Sequence, residues 1–265
     1  MKEKRPMTPQ KHPIVFCGAG PGDPELITVK GMKALEEADL VLYAGSLVSE
    51  AVLSWAPARA RRISSAHMDL ERIIAALAEG YENGQKVVRL HTGDPSLYGA
   101  IGEQMAALNA RGIPFRIIPG VTAAFAAAAA MGMEYTVPEV TQTLILTRMA
   151  GRTSVPEAES LVSLASHGAS MVIYLSMALI DAVADVLCKA YGAEAKCALA
   201  YRVSQPEEKI LLTRLDRLAE LARTEGINRL AVILVGPALN HPRALNTLRS
   251  KLYDEEFFHG YRTGE

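Results

Sequence analysis

In the first half of the chain, apolar residues fall in short β-rich runs at 14–17, 40–43, 86–90 and 115–118, which predict strands. Between them the spacing changes. The segment 69–81 has apolar residues at 70, 73, 74, 77 and 81, painting one face of a helix, with Asp69 placed as its N-cap. Strands alternating with helical stretches predict a parallel α/β sheet.

Near Pro119 the pattern breaks. PGVT at 119–122 runs into an alanine-rich stretch at 123–130 that ends before Pro138, which reads as a hinge. Beyond it, strands are expected at 143–147, 171–175, 199–203 and 209–213, the last two joined through Ser204-Gln205-Pro206 as a hairpin in a mixed sheet. Helices are expected at 157–165, 179–190 and 216–223, and a run at 230–235 closes the sheet before Gly236-Pro237. The expected organisation is therefore a disordered tail at 1–12, an α/β domain at 13–120, a hinge helix and linker at 121–142, a second α/β domain at 143–240, and a polar tail from 241 to 265.

Composition narrows the function. At 265 residues and 49% hydrophobic, the chain can bury two cores. A net charge of −1 with dispersed basic residues lacks the footprint of a nucleic-acid binder. The longest apolar stretch, 121–133, is interrupted by Thr122 and Gly132 and is too short to span a bilayer, so no membrane anchor is expected. The start has no apolar h-region and is not read as a signal peptide. Cys17, Cys188 and Cys197 form neither a disulfide framework nor a zinc pair, which fits a reducing cytoplasm. The histidines show no paired metal spacing and there is no G-x-S-x-G elbow, so metal hydrolysis and serine chemistry lose support. His67 and His91 read as loop or core residues.

Three strand-to-helix junctions stand out. GAGPGDP at 18–24 is rich in glycines that permit close backbone approach, yet Asp23 replaces the third glycine of a dinucleotide fingerprint, and Pro21 and Pro24 remove donors. The second is HTGDPSLYG at 91–99, where Asp94-Pro95 reads as the N-cap and first residue of the following helix. The third, PGVTAA at 119–124, has side chains small enough to leave room for a flat ring.

Together with LVLYAGSLV at 40–48 and Thr141-Gln142-Thr143, these junctions resemble the tetrapyrrole methylase family over about 13–240. The YAGSLV run, the alanine-rich helix and TRMAGRT at 147–153 are most similar to its branch that methylates C-11 of precorrin-4 in cobalamin biosynthesis, and GRTSVP at 151–156 leans toward a cobalt-containing substrate. The resemblance implies two α/β domains forming a homodimer, with S-adenosylmethionine as methyl donor in a cleft between the domains. It carries donor contacts onto Pro21, Gly93, Asp94, Leu97, Thr122 and Ala123, with Leu175 and Ala238 from the second domain. Many relatives have an acidic residue where this chain has Gly45, so no catalytic carboxylate is transferred there, and no general base is named. A substrate with many carboxylate arms needs basic residues, and Arg148, Arg152 and Arg202 near expected strand ends are the candidates. The readings weighed against this one are a methylase of another precorrin carbon or of uroporphyrinogen III, a non-catalytic S-adenosylmethionine-binding regulator, and a nicotinamide enzyme.

Overall fold

The computed structural model describes residues 10–45 and 47–240; most of the tail expected at 1–12 and all of that at 241–265 lie outside them. The chain divides into two compact units between Ala123 and Ala124.

The first unit holds strands β1 (Ile14–Gly18), β2 (Leu40–Tyr43), β3 (Arg61–Ser64), β4 (Val87–His91) and β5 (Phe115–Ile118) in the order β3-β2-β4-β1-β5. Every pairing is parallel, as the alternating pattern predicts. Helices α1 (Val29–Glu36) and α2 (Glu50–Leu53) cover one face, packing Leu35, Val52 and Leu53 against Val15 and Cys17. Helices α3 (Leu70–Glu82) and α4 (Ile101–Asn109) cover the other, packing Ile74, Leu77, Ile101 and Leu108 against Ile14 and Phe16. Alternate residues of β1 thus enter opposite cores, which is why the strand is apolar throughout. The Asp69 carboxylate accepts from Arg72 N–H at 2.8 Å and caps α3 as expected.

Within α4, Gly102 has nothing within 4 Å of where a Cβ would stand. Gly102→Ala should therefore stabilise the protein by about 0.5–1 kcal/mol, since glycine loses more backbone freedom in a helix. Chemical denaturation would measure this, and a lower midpoint would contradict it.

The second unit holds β6 (Leu144–Arg148), β7 (Ser170–Tyr174), β8 (Lys196–Tyr201), β9 (Lys209–Arg214) and β10 (Ala231–Val235) in the order β6-β7-β10-β8-β9. β6 and β7 are parallel, β10 runs antiparallel to both neighbours, and β8–β9 is the expected hairpin, so the sheet is mixed. The last strand in sequence sits in the middle of the sheet rather than closing an edge. Helices α6 (Leu161–Ala165), α7 (Ile180–Tyr191) and α8 (Leu218–Thr224) pack Leu161, Val183, Leu187 and Leu218 onto Met171, Ile173, Leu199 and Ile233.

Helix α5 (Ala123–Met131) is nearly all alanine, which costs no side-chain entropy on helix formation. The Tyr174 hydroxyl accepts from Ala124 N–H at 2.8 Å, satisfying a donor of the first turn. The three cysteines are free, and no helix among the described residues is long and apolar enough to cross a membrane.

Candidate functional site

Because the first sheet is parallel, the loops after β4, β1 and β5, three neighbouring strands, emerge at one end of it. Open α/β sheets bind ligands outside the carboxyl ends of their strands. Here the three loops meet backbone to backbone. Ala19 N–H donates to His91 O at 2.7 Å, and Gly20 and Gly93 exchange bonds of 3.3 and 2.8 Å. A Cβ at Gly18 would lie 2.5 Å from Gly93 O and 2.6 Å from Gly120 Cα, and one at Gly120 would lie 2.1 Å from Gly93 O. No side chain fits at either position. Gly93 has φ +59, and a Cβ there would stand in ordinary contact with Thr122 Cα at 3.7 Å and Val121 O at 3.9 Å, so the second and third loops lie side by side.

Asp94 fastens this platform. One carboxylate oxygen accepts from Ser96 N–H at 2.8 Å and from the Ser96 hydroxyl, and the other accepts from Gly120 N–H at 2.8 Å. Partial burial pushes its pKa upward, but the bonds from Ser96 and Gly120 outweigh that and hold it below the usual carboxylate range. The expectation that Asp94 caps the following helix is corrected. It closes the turn to Leu97, whose N–H donates to Asp94 O at 3.2 Å, while α4 starts only at Ile101. Tyr98 at φ +57 and Ala100 at φ +48 lie between, and left-handed residues cannot continue a helix from Pro95.

Pro21, Gly93, Asp94, Leu97, Thr122 and Ala123 all belong to this end of the first unit. Pro21 and Thr122 are buried, whereas Gly93, Asp94, Leu97 and Ala123 are half-buried. His91, at the root of the second loop, is 4% exposed, lies 6.0 Å from the Phe16 ring in a stacked arrangement, and leaves Nε2 without a hydrogen-bond partner. Burial, together with the charge of Arg89, pushes its pKa down to about 3, so it is neutral near pH 7. No cluster among the described residues is suited to hold a metal ion.

In the second unit the loops after β6, β7 and β8 emerge at one end of the sheet, and they carry Arg148, Arg152, Leu175 and Arg202. The Arg148 guanidinium is occupied by its own loop, donating to Met149 O at 3.4 Å, Thr153 O at 3.1 Å and Ser154 O at 2.7 Å. Its role in the structure is to shape the 149–154 turn that presents the exposed Arg152. Arg202 pairs with Glu207 at 3.1 Å and lies 5.7 Å from the Tyr201 ring. Leu175 is 65% exposed and held at φ +51, a strained conformation for a bulky side chain. Ala238 is not with them. β10 and β7 pair Val235 with Met171 and Ile233 with Ile173, so the residue facing the Leu175 end is Ala231, whereas Ala238 lies buried past the opposite end. The two residues expected as donor contacts from the second domain thus lie at different ends of its sheet.

Sequence reasoning also passed over Arg89, which is 4% exposed inside the first unit and bonded to Leu42 O, Ser65 and Gln104. The signal available was a lone charge in the middle of an apolar strand run.

Residues 13–219 match the model of the tetrapyrrole (corrin/porphyrin) methylases. The chain is 49% identical over 250 residues to a cobalt-precorrin-4 C(11)-methyltransferase of Methanocaldococcus jannaschii, covering 94% of this chain and 95% of that protein. Its fold is similar to the X-ray structure of a cobalamin biosynthetic enzyme, cobalt precorrin-4 methyltransferase, with a TM-score of 0.83, 45% identity, and coverage of 85% of this chain and 95% of that one. It is also similar to a uroporphyrin-III C-methyl transferase from Thermus thermophilus complexed with S-adenyl homocysteine, with a TM-score of 0.68, 26% identity, and coverage of 86% and 93%. A match over most of the chain, together with near-half identity across almost its whole length, settles the family: the chain belongs to the tetrapyrrole methylases.

Proposed function

We propose that this protein is an S-adenosylmethionine-dependent methyltransferase that methylates C-11 of precorrin-4 in cobalamin biosynthesis, with the cobalt-bearing form as its preferred substrate. The observation that carries the reading is the interlocked glycine platform of Gly18, Gly93 and Gly120, in a chain 49% identical to a relative named for that reaction. The platform suits the donor chemically: it offers backbone, small side chains and one ionised carboxylate, with its three loops packed glycine to glycine. S-adenosylmethionine, when bound, supplies an electrophilic methyl group on a sulfonium.

The residues proposed to hold the donor are Pro21, Gly93, Asp94, Leu97, Thr122 and Ala123. Asp94 keeps the second and third loops in register through Gly120, so that this surface is formed before ligand arrives. Preorganisation and alignment of reactants contribute roughly 7–11 kcal/mol to lowering a barrier of this bimolecular kind. The carbon methylated at C-11 becomes quaternary, so no C–H proton leaves that carbon; the proton that balances the transferred methyl leaves from elsewhere in the macrocycle, and no residue is assigned as its acceptor. Arg152 is proposed to meet carboxylate arms of the macrocycle, its loop shaped by Arg148. Arg202, partly neutralised by Glu207, is proposed as a secondary contact. The protein is proposed to work as a cytoplasmic homodimer.

The test is incubation of the purified protein with S-adenosylmethionine and, in turn, cobalt-precorrin-4, precorrin-4 and uroporphyrinogen III, followed by mass and NMR identification of the methylated carbon. Methylation at C-11, faster with the cobalt form, is expected. Methylation at another position, or only of uroporphyrinogen III, would replace this reading with another member of the family, and binding without turnover would point to a regulatory protein.

A further inference from the structure

Three large non-glycine residues take left-handed backbone conformations at one end of the second sheet: Leu175 at φ +51, Arg202 at φ +45 and Leu230 at φ +57. They border the neighbouring strands β7, β8 and β10. Leu175 follows β7, Arg202 follows β8, and Leu230 precedes β10, which is antiparallel to both, so the three turns share one end of the sheet. Such conformations are costly for bulky side chains and gather at ligand sites, where the surroundings hold them in place. The surroundings do so here. The Ser176 hydroxyl donates to Tyr174 O at 2.7 Å and accepts from Met149 N–H at 2.9 Å, which fixes the backbone on both sides of Leu175 and joins it to the loop after β6. Arg202 N–H donates to Leu230 O at 2.9 Å and joins the turn after β8 to the segment entering β10.

Two kinds of surface are presented at this end. Leu175 is an exposed apolar side chain. Arg152, in the loop after β6, and Arg229, beside Leu230, are exposed cations that make no hydrogen bond or salt bridge among the described residues. The other charges of these turns are engaged: Arg202 pairs with Glu207 at 3.1 Å, Lys209 with Glu225 at 2.8 Å, and Glu208 accepts from Ser204 N–H at 2.6 Å.

A lone exposed arginine is ordinary. Arg229 differs in its setting: its neighbour Leu230 is held in a strained turn, an exposed leucine ends the adjacent strand β7, and a second unpaired arginine lies in the loop of the strand beyond that. The four strands from β6 to β8 span about 14 Å at the usual strand spacing, the scale of a ring of several heterocycles. Cations around an apolar surface suit a ligand that is flat and apolar at its centre and acidic at its edge.

We propose that Arg229 is a specificity-determining residue for the tetrapyrrole, its guanidinium meeting one carboxylate arm of the macrocycle while Arg152 takes another and Leu175 lies against the ring. This deepens the methyltransferase reading above and rests on it. The experiment compares wild type with R229Q, R229K and R217Q, the last an exposed arginine at the opposite end of the same sheet. The readouts are KM and kcat for cobalt-precorrin-4 at saturating S-adenosylmethionine, the Kd for S-adenosylhomocysteine by calorimetry, the Kd for uroporphyrin I, an octacarboxylate probe, by fluorescence quenching, and the oligomeric state by light scattering. R229Q should raise KM and the uroporphyrin Kd roughly tenfold, the scale of one sheltered arginine–carboxylate pair, with kcat and the S-adenosylhomocysteine Kd within about twofold of wild type. R229K should fall between, since lysine keeps the charge and loses the paired N–H fork, and R217Q should match wild type. A change below about twofold in both KM and the uroporphyrin Kd of R229Q overturns the proposal. So does an equal loss in R217Q, which would mark a general effect of charge, or a shift in oligomeric state with unchanged uroporphyrin binding, which would make this end a contact with a second copy of the chain. Wild-type protein whose uroporphyrin binding depends on Arg229 but which methylates no tetrapyrrole would overturn the methyltransferase reading and leave the macrocycle site standing.

Discussion

Gly120→Ala is expected to reduce S-adenosylhomocysteine binding by at least about 100-fold and to destabilise the fold by about 3 kcal/mol. The new Cβ would stand 2.1 Å from Gly93 O and 2.9 Å from Gly18 Cα, both backbone atoms that no side-chain rotation can clear. Overpacking of this kind commonly costs about 1–3 kcal/mol, and the rigid surroundings place this case at the upper end. The clash forces the third loop away from the second, breaking the Gly120 N–H bond to Asp94 and parting Gly93 from Thr122. A hundredfold loss corresponds to about 2.8 kcal/mol of binding energy. Calorimetric titration against Gly102→Ala, a glycine substitution in open space, separates this effect from any general cost of adding a methyl group. A Gly120→Ala protein with a Kd within about threefold of wild type would show that the donor does not depend on the contact of the three loops.

The second large effect is acid lability centred on His91. Its pKa is held at about 3 in the folded protein against an ordinary value of 6.5, because burial and the neighbouring Arg89 both disfavour the imidazolium. Between those values the unfolded chain binds a proton that the folded chain refuses, so stability rises with pH across this window. The His91 contribution is fully present above pH 6.5 and is lost as the pH falls toward 3. From pH 7 to pH 4 the loss amounts to about 3 kcal/mol, since one proton taken up by the unfolded chain alone lowers stability by about 1.36 kcal/mol for each step of one in pH. Asp94 acts with the same sign but lower, since its depressed pKa confers stability that disappears only on acidification below the ordinary carboxylate range. Urea unfolding of wild type and His91→Phe from pH 7 to pH 4 measures the histidine effect. Phenylalanine keeps a ring against Phe16 and removes the unpartnered Nε2, so the variant should be the more stable at every pH, with the margin widening on acidification. Parallel pH profiles for the two proteins would show that His91 protonation is not what limits acid stability.

Much of the framework was legible in the chain. Four strands of the first sheet, the helix beginning after Asp69, the β8–β9 hairpin and the glycine turns all rest on local patterns: period-two or period-three-to-four apolar spacing, a capping side chain, or a residue tolerant of positive φ. Strand β3 was missed because Arg61-Arg62-Ile63-Ser64 lies at the sheet edge, mostly exposed, and has no apolar alternation to mark it. The three glycine loops could be recognised as segments, but not as one object. Whether Gly120 N–H meets Asp94, 26 residues earlier, is settled by the strand order that places β5 beside β1 and β1 beside β4.

The same division runs through the site. Sequence picked out basic residues near strand ends, yet only the folded loop shows that Arg148 is spent on the carbonyls of Met149, Thr153 and Ser154 while Arg152 remains exposed. Leu175 and Ala238 were both expected as donor contacts from the family resemblance, and the antiparallel register of β10 sets them at different ends of the second sheet. Arg89 was visible as a charge among Val87, Val88 and Leu90, but its acceptors come from β2, from the loop after β3, and from α4. Short-range order is written in a residue's neighbours along the chain, because backbone and adjacent side chains determine it. Which long-range groups meet depends on register and strand order, and these are set by the joint burial of both faces of a sheet.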